Sequence, residues 1–190
     1  MKSSGEEGTL KKGKVYFLTS NKHKFAEVQE IFYSYGIDVV WKKGGYTEIQ
    51  ADRLEKVVKK ALEDMQGCVI IEDAGLFIRA LNGFPGVYSS YTLETLGNGG
   101  ILKLMDGIKD RRAEFVSIAG FKDRKVKLFK GIVKGNISHN ARGRSGFGYD
   151  PIFIPAGYKD TFAENFELKK KISHRKKSME KLIYYLKNKR

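Results

Sequence analysis

Val15-Tyr16-Phe17-Leu18 is a short apolar run ended by Thr19-Ser20-Asn21, the pattern of a buried strand entering a helix N-terminus. Phe25, Val28, Ile31, Phe32 and Tyr35 then recur at helical spacing, and Gly36 stops them. Ile37 to Trp41 reads as a second strand, broken by Gly44-Gly45. Ala51, Leu54, Val57, Val58, Ala61, Leu62 and Met65 trace a long amphipathic helix that ends at Gly67. A third strand, Cys68 to Ile71, is expected to end at Glu72-Asp73. This βαβαβ opening predicts an α/β fold with parallel strands and a ligand at the strands' C-terminal ends.

The pattern then loosens. Gly83-Phe84-Pro85-Gly86 is a turn, and Leu93 to Met105 predicts helix interrupted by Gly97-Asn98-Gly99-Gly100. Ala113–Phe121 and Lys125–Val133 predict a hairpin about Asp123-Arg124. Ile152 to Ile154 reads as an edge strand because Pro151 and Pro155 bracket it. Ser173 is placed to cap a closing helix with Met179, Leu182, Ile183 and Leu186 on one stripe.

Composition narrows the class. The 190 residues, 41% hydrophobic, suffice for one domain of two lobes, read here as residues 14–190. Residues 1–13, polar and without period, read as a disordered tail. One cysteine, Cys68, sits inside an apolar run and reads as a small buried hydrophobe. No apolar stretch reaches transmembrane length and no signal pattern is present, so a reducing, cytoplasmic setting is expected.

The net charge of +14 invites a nucleic-acid reading. Ten Lys or Arg and one Glu between Lys169 and Arg190 give that stretch a net of +9. A solvated lysine-rich face and a field attracting a polyphosphate substrate explain it equally well.

Two segments late in the chain carry the candidate chemistry. GRSGFGYDPIF places Phe147, Tyr149 and Asp150 on a glycine-loosened loop, and Ser173-His174-Arg175 follows three lysines. Stacking faces beside polar groups that separate donor from acceptor are what a purine ring needs. Earlier, Thr19-Ser20-Asn21-Lys22-His23-Lys24 offers backbone N–H groups, a helix dipole and a lysine to an anion. It reads equally as a plain helix cap. Glu72 and Asp73, with Glu48 at the end of the second strand, supply hard oxygen ligands suited to Mg²⁺, though turn-forming acids would look the same. His23, His139 and His174 are too scattered for a zinc motif. The whole reads as an enzyme acting on a nucleotide.

Taken in order, TSNKHK, YTEIQ, the Glu55-to-Lys60-Ala61 spacing, IEDAGL, GFPGVYS, GFGYDPIF and ISHR resemble one family. It is that of the inosine/xanthosine triphosphate pyrophosphatases, the Ham1-like house-cleaning enzymes. The resemblance runs from about residue 14 to the C-terminus. It implies an elongated mixed sheet with flanking helices, two lobes around a nucleotide cleft, a homodimer, and Mg²⁺-dependent hydrolysis of ITP, dITP and XTP to the monophosphate and pyrophosphate.

The same resemblance implies roles. Thr19, Ser20, Asn21 and Lys24 would form the triphosphate turn, and Lys60 would reach a phosphate. Glu48 and Asp73 would hold the metal with Glu72 beside them, Asp73 also taking the proton of the attacking water. Phe147, Gly148 and Tyr149 would flank the base, Asp150 would accept from N1–H, and Lys169, His174 and Arg175 would line the 6-oxo edge with Ser173 in support. Ala74 and Ser90 depart from the family, standing where many relatives carry Ser or Thr and where some carry a phosphate-facing lysine. Two alternatives remain at this level. One is a nucleic-acid-binding protein using the basic C-terminal helix. The other is a Maf-like pyrophosphatase with a different base preference.

Overall fold

The computed structural model describes residues 14–46 and 49–188. Strands β1 (Lys14–Thr19), β2 (Asp38–Lys43) and β3 (Val69–Ile78) lie parallel, linked by α1 (Lys22–Tyr33) and α2 (Leu54–Glu63). β4 (Arg112–Lys122) returns antiparallel along all of β3, and β5 (Val126–Ile137) antiparallel along β4. β6 (Phe153–Pro155) pairs only with the end of β5, the edge position that Pro151 and Pro155 foretell. The six-stranded order is β2-β1-β3-β4-β5-β6, a mixed sheet with helices on its faces.

Alternation along β3 and β4 assigns the layers. Ile70, Ala119 and Phe121 face α1 and the closing helix α6 (His174–Asn188), which follows the short α5 (Phe166–Ile172), and Ile71, Val116 and Ile118 face α2. A third cluster gathers Leu76, Ile78, Phe115, Val133, Tyr149, Phe153 and Phe162 beneath α4 (Gly97–Leu104). Strands β3 to β5 are long enough to serve both the first two clusters and this third one, which makes two lobes of one sheet. α6 lies hard against β5 because Gly131 has no side chain: a Cβ there would collide with the His174 carbonyl.

Two expectations need correction. β3 does not end at Glu72-Asp73 but continues to Ile78, since every residue from Val69 to Ile78 has a partner on β4. Gly75, within the strand, is a packing device. A Cβ on it would strike the Gly86 carbonyl oxygen, and the Ser89 hydroxyl accepts from Leu76 N at 2.8 Å beside it. Gly75→Ala should therefore cost about 1–3 kcal/mol, read as a lower urea midpoint with unchanged slope; an unaltered midpoint would show that the neighbouring turn yields freely. The helix expected at 93–105 is two helices, α3 (Ser89–Thr95) and α4, which meet at Gly97 with φ +64°.

Candidate active site

β1 stops at Thr19 while β3 runs on, and the register Phe17↔Ile70, carried two residues further, sets Thr19 beside Glu72. Beyond that point one edge of β3 is open, and the cleft begins there. The turn that follows β1 is held locally: Asn21 N donates to Thr19 Oγ1 at 3.1 Å, and Asn21 Oδ1 accepts from His23 N and Lys24 N. Asn21 is thus the helix cap that one reading anticipated, and it still lines the cleft with Thr19, Ser20 and Lys24. Lys24 Nζ caps the open strand edge by donating to Glu72 O at 3.3 Å.

Glu72 and Asp73 point to opposite faces of β3, as neighbours in a strand must. Lys24 Nζ reaches both around the open edge, 3.3 Å from Glu72 Oε2 and 3.5 Å from Asp73 Oδ1. Glu72 is enclosed. Ser117 Oγ donates to its Oε1 at 2.6 Å, and Arg175 Nε and Nη2 lie at 3.3 and 3.4 Å. Burial alone would raise its carboxyl, but Arg175, Lys24 and the Ser117 bond outweigh burial and hold it down to about 2. Asp73 keeps 15% of its side chain exposed and is raised instead, because burial and the Glu72 charge exceed what Lys24 returns. One carboxylate is a fixed charge; the other faces the cleft with elevated basicity.

Hard oxygen donors flanking an ammonium group suit a divalent cation that takes one or two carboxylates and borrows phosphate oxygens. Among the described residues no three His, Cys, Asp or Glu side chains cluster as a ready-made metal cage. Glu48, the third expected ligand, lies outside the described residues.

The far end of the cleft is an ion network. Lys169 Nζ sits 2.6 Å from both Asp150 Oδ2 and Glu27 Oε1, and Glu27 Oε2 accepts from Arg175 Nη1. The contacts of Lys169 with Glu27 and of Arg175 Nε with Glu72 are charge pairs without hydrogen-bond alignment. Charges therefore alternate in sign from Asp150 through Lys169, Glu27, Arg175, Glu72 and Lys24 to Asp73. Phe147 lies against this chain, with Lys169 Nζ 4.4 Å and the Arg175 guanidinium 5.5 Å from its ring centre, and His23 stacks on it. Tyr149 is buried and donates its hydroxyl to Ser89 O at 2.8 Å. His174 stacks on Phe115 at 4.5 Å, and burial together with the adjacent Arg175 keeps it neutral. Neutral imidazole carries one donor and one acceptor.

A single cleft of about 490 Å³ is lined by Thr19, Ser20, Asn21, Lys24, Glu72, Asp73, Phe147, Gly148, Tyr149, Asp150, Lys169, His174 and Arg175. Ala74 and Ser90 line it too. Two expectations lie elsewhere. Lys60 is on the exposed side of α2, off the stripe that packs on the sheet, and its Nζ pairs with Asp64 at 2.9 Å one turn on. Ser173 does not line the cleft; it caps α6 by accepting from Lys176 N at 3.1 Å. Glu27 and Ser117 were missed. Glu27 follows Lys24 by three residues, so the helical period alone puts both on one face. Ser117, inside an apolar strand, offers no such signal.

Beyond His174 and Arg175, which line the cleft, the lysines of the C-terminal helix lie on another surface. Lys177 and Lys181 spend their ammonium groups on the Ile132 and Lys130 carbonyls of β5, while Phe147 and Tyr149 belong to the cleft. Among the described residues no helix is long and apolar enough to cross a membrane.

Comparison with known proteins agrees with this geometry. The sequence model of the Ham1 family matches residues 15–185. A dITP/XTP pyrophosphatase of Ignicoccus hospitalis is 48% identical over 181 residues, 91% of this chain and 96% of the relative. One of Pyrococcus horikoshii is 49% identical over 92% of this chain and 97% of its own length. Among solved structures, the Ham1 protein of Staphylococcus aureus superposes with a TM-score of 0.78 at 29% identity, covering 93% of this chain and all of that one. Agreement at this level across sequence and fold means that the chain belongs to the Ham1 family.

Proposed function

We propose that this protein hydrolyses the keto-purine triphosphates ITP, dITP and XTP to the monophosphate and pyrophosphate. The observation that carries the reading is one cleft joining a lysine-bearing helix N-terminus and a basic carboxylate to a base-sized pocket with an aromatic wall. The names of the Ignicoccus and Pyrococcus relatives support dITP and XTP among these substrates.

In this reading the triphosphate lies on Thr19-Ser20-Asn21 with Lys24 offsetting its charge. Asp73, elevated and open to the cleft, orients and deprotonates the attacking water. Glu72 and Asp73 would hold Mg²⁺ with Glu48. The cation's part is to draw charge from the phosphate oxygens. Phe147, Gly148 and Tyr149 form the base slot. Asp150 accepts from N1–H, while Arg175, His174 and Lys169 meet the 6-oxo edge, with Ser173 supporting the helix start. Adenine reverses that edge, so buried polar groups would face like partners, a loss of roughly 10⁴-fold in similar sites. We further place the protein in the cytoplasm and treat residues 14–190 as one domain.

A homodimer through the aromatic Gly83–Tyr91 segment, where Phe84, Tyr88 and Tyr91 are exposed, completes the proposal; sedimentation as a monomer at micromolar concentration would reject that part. The reaction itself is tested by chromatography of the products from dITP. Equal amounts of dIMP and pyrophosphate are expected, and dIDP with orthophosphate would overturn the assignment.

A further inference from the structure

The loop that carries the base slot turns on three glycines. Gly143, Gly146 and Gly148 all have positive φ, a conformation glycine reaches readily but holds weakly. Besides the turn bonds from Asp150 N to Phe147 O and from Ile152 N to Tyr149 O, four bonds restrain it: Ser145 N to Ala163 O, Phe147 N to Asp150 Oδ2, the Tyr149 hydroxyl to Ser89 O, and Asn98 Nδ2 to Gly148 O at 3.0 Å. The last two come from the α3–α4 pair, which packs on the same apolar cluster as Tyr149. Asn98 does not line the cleft, and its Oδ1 is buried with no hydrogen-bond partner among the described residues. A buried polar atom left unpaired works against stability, which an apolar residue at this position would avoid. What the amide accomplishes is the bond to Gly148, whose carbonyl fixes the plane of the Gly148–Tyr149 peptide beside Phe147.

We propose that Asn98 is a positioning residue for base selection, acting through Gly148 on the slot that grips the purine. The inference rests on the base-slot assignment above. It separates the two ends of the cleft, because Asn98 touches neither the phosphate turn nor Asp73. Loss of the tether lets the loop sample orientations in which Phe147 and Asp150 no longer meet the same purine edge.

The test is Asn98→Ala, with Asn98→Asp as a second variant that keeps the shape but turns a carboxylate on the Gly148 carbonyl. Expected for Asn98→Ala is a rise of about tenfold in the KM for dITP, one hydrogen bond's worth, with kcat little changed. The dITP-to-dATP ratio of kcat/KM and the affinity for dIMP should fall by a similar factor. Inhibition by tripolyphosphate, which has no base, should match that of the wild type. Asn98→Asp should be at least as impaired. Equal losses for dITP, dATP and tripolyphosphate, or an unchanged dITP-to-dATP ratio, would overturn the proposal. Failure of the base-slot assignment itself is distinguishable, since the wild type would then show no preference for dITP over dATP.

Discussion

Asp73→Asn should lower kcat for dITP by about 10²–10⁴-fold while its KM stays within a few-fold of the wild type. The replacement is nearly isosteric and keeps an oxygen for Ala74 N, which Asp73 Oδ1 accepts at 2.8 Å. It removes the proton acceptor and the charge opposite Lys24, but not the turn or the base slot. The wild-type pH profile carries the complementary signature. Asp73 is raised above its ordinary 3.8 by burial and Glu72, so its basic form is lost earlier as the pH falls. The acid limb of kcat/KM should lie above the usual aspartate range and be absent from the residual activity of the variant. Steady-state kinetics that leave Asp73→Asn with a tenth or more of wild-type turnover would remove Asp73 from the chemistry.

Arg175→Met is the second large effect, and it strikes stability and selectivity together. It takes a buried cation from between Glu27 and Glu72, leaving two enclosed carboxylates without their main partner. Breaking such a pair costs about 3–5 kcal/mol, which for a chain of this size is roughly a 10 °C loss in Tm. The pH dependence fixes the cause. In the wild type Glu72 is held at about 2, below its ordinary 4.5, so its stabilising contribution is present above pH 4.5 and lost as pH falls towards 2. Without Arg175, burial should dominate and raise the carboxyls, reversing that sign. The stability deficit of the variant should therefore narrow between pH 7 and about pH 4.5. A deficit that is constant with pH would point to lost packing instead. At temperatures where the variant is folded, its preference for ITP over ATP should largely vanish.

The sequence revealed the ends of the cleft better than its middle. Strand–turn–helix at Thr19–Lys24 and the Phe147–Asp150 loop are local patterns, so both were legible, as was the cap at Ser173. The charge chain between them was not. It depends on Glu27 meeting Lys169 and Arg175 from more than a hundred residues away, and a lone acid on a helix looks like any solvated acid. β3 was cut short because the acidic pair Glu72-Asp73 has the composition of a turn, whereas the register with β4 and the close approach of the Gly86 carbonyl decide its course. Lys60 failed for a related reason: spacing along a helix names a face, but only packing tells which face meets the site. The strong excess of positive charge proved ambiguous in sequence. The structure divides it between lysines that serve the cleft and lysines that cover the sheet edge.

The central claim is that one cleft couples phosphate hydrolysis to recognition of a 6-keto purine. It is tested most directly by kcat/KM for pyrophosphate release from dITP, XTP, GTP, ATP and dUTP, each with and without Mg²⁺. The account predicts Mg²⁺-dependent turnover of dITP and XTP, with ATP slower by about 10⁴-fold. Comparable turnover of ATP, or no release from any of the five, would contradict it.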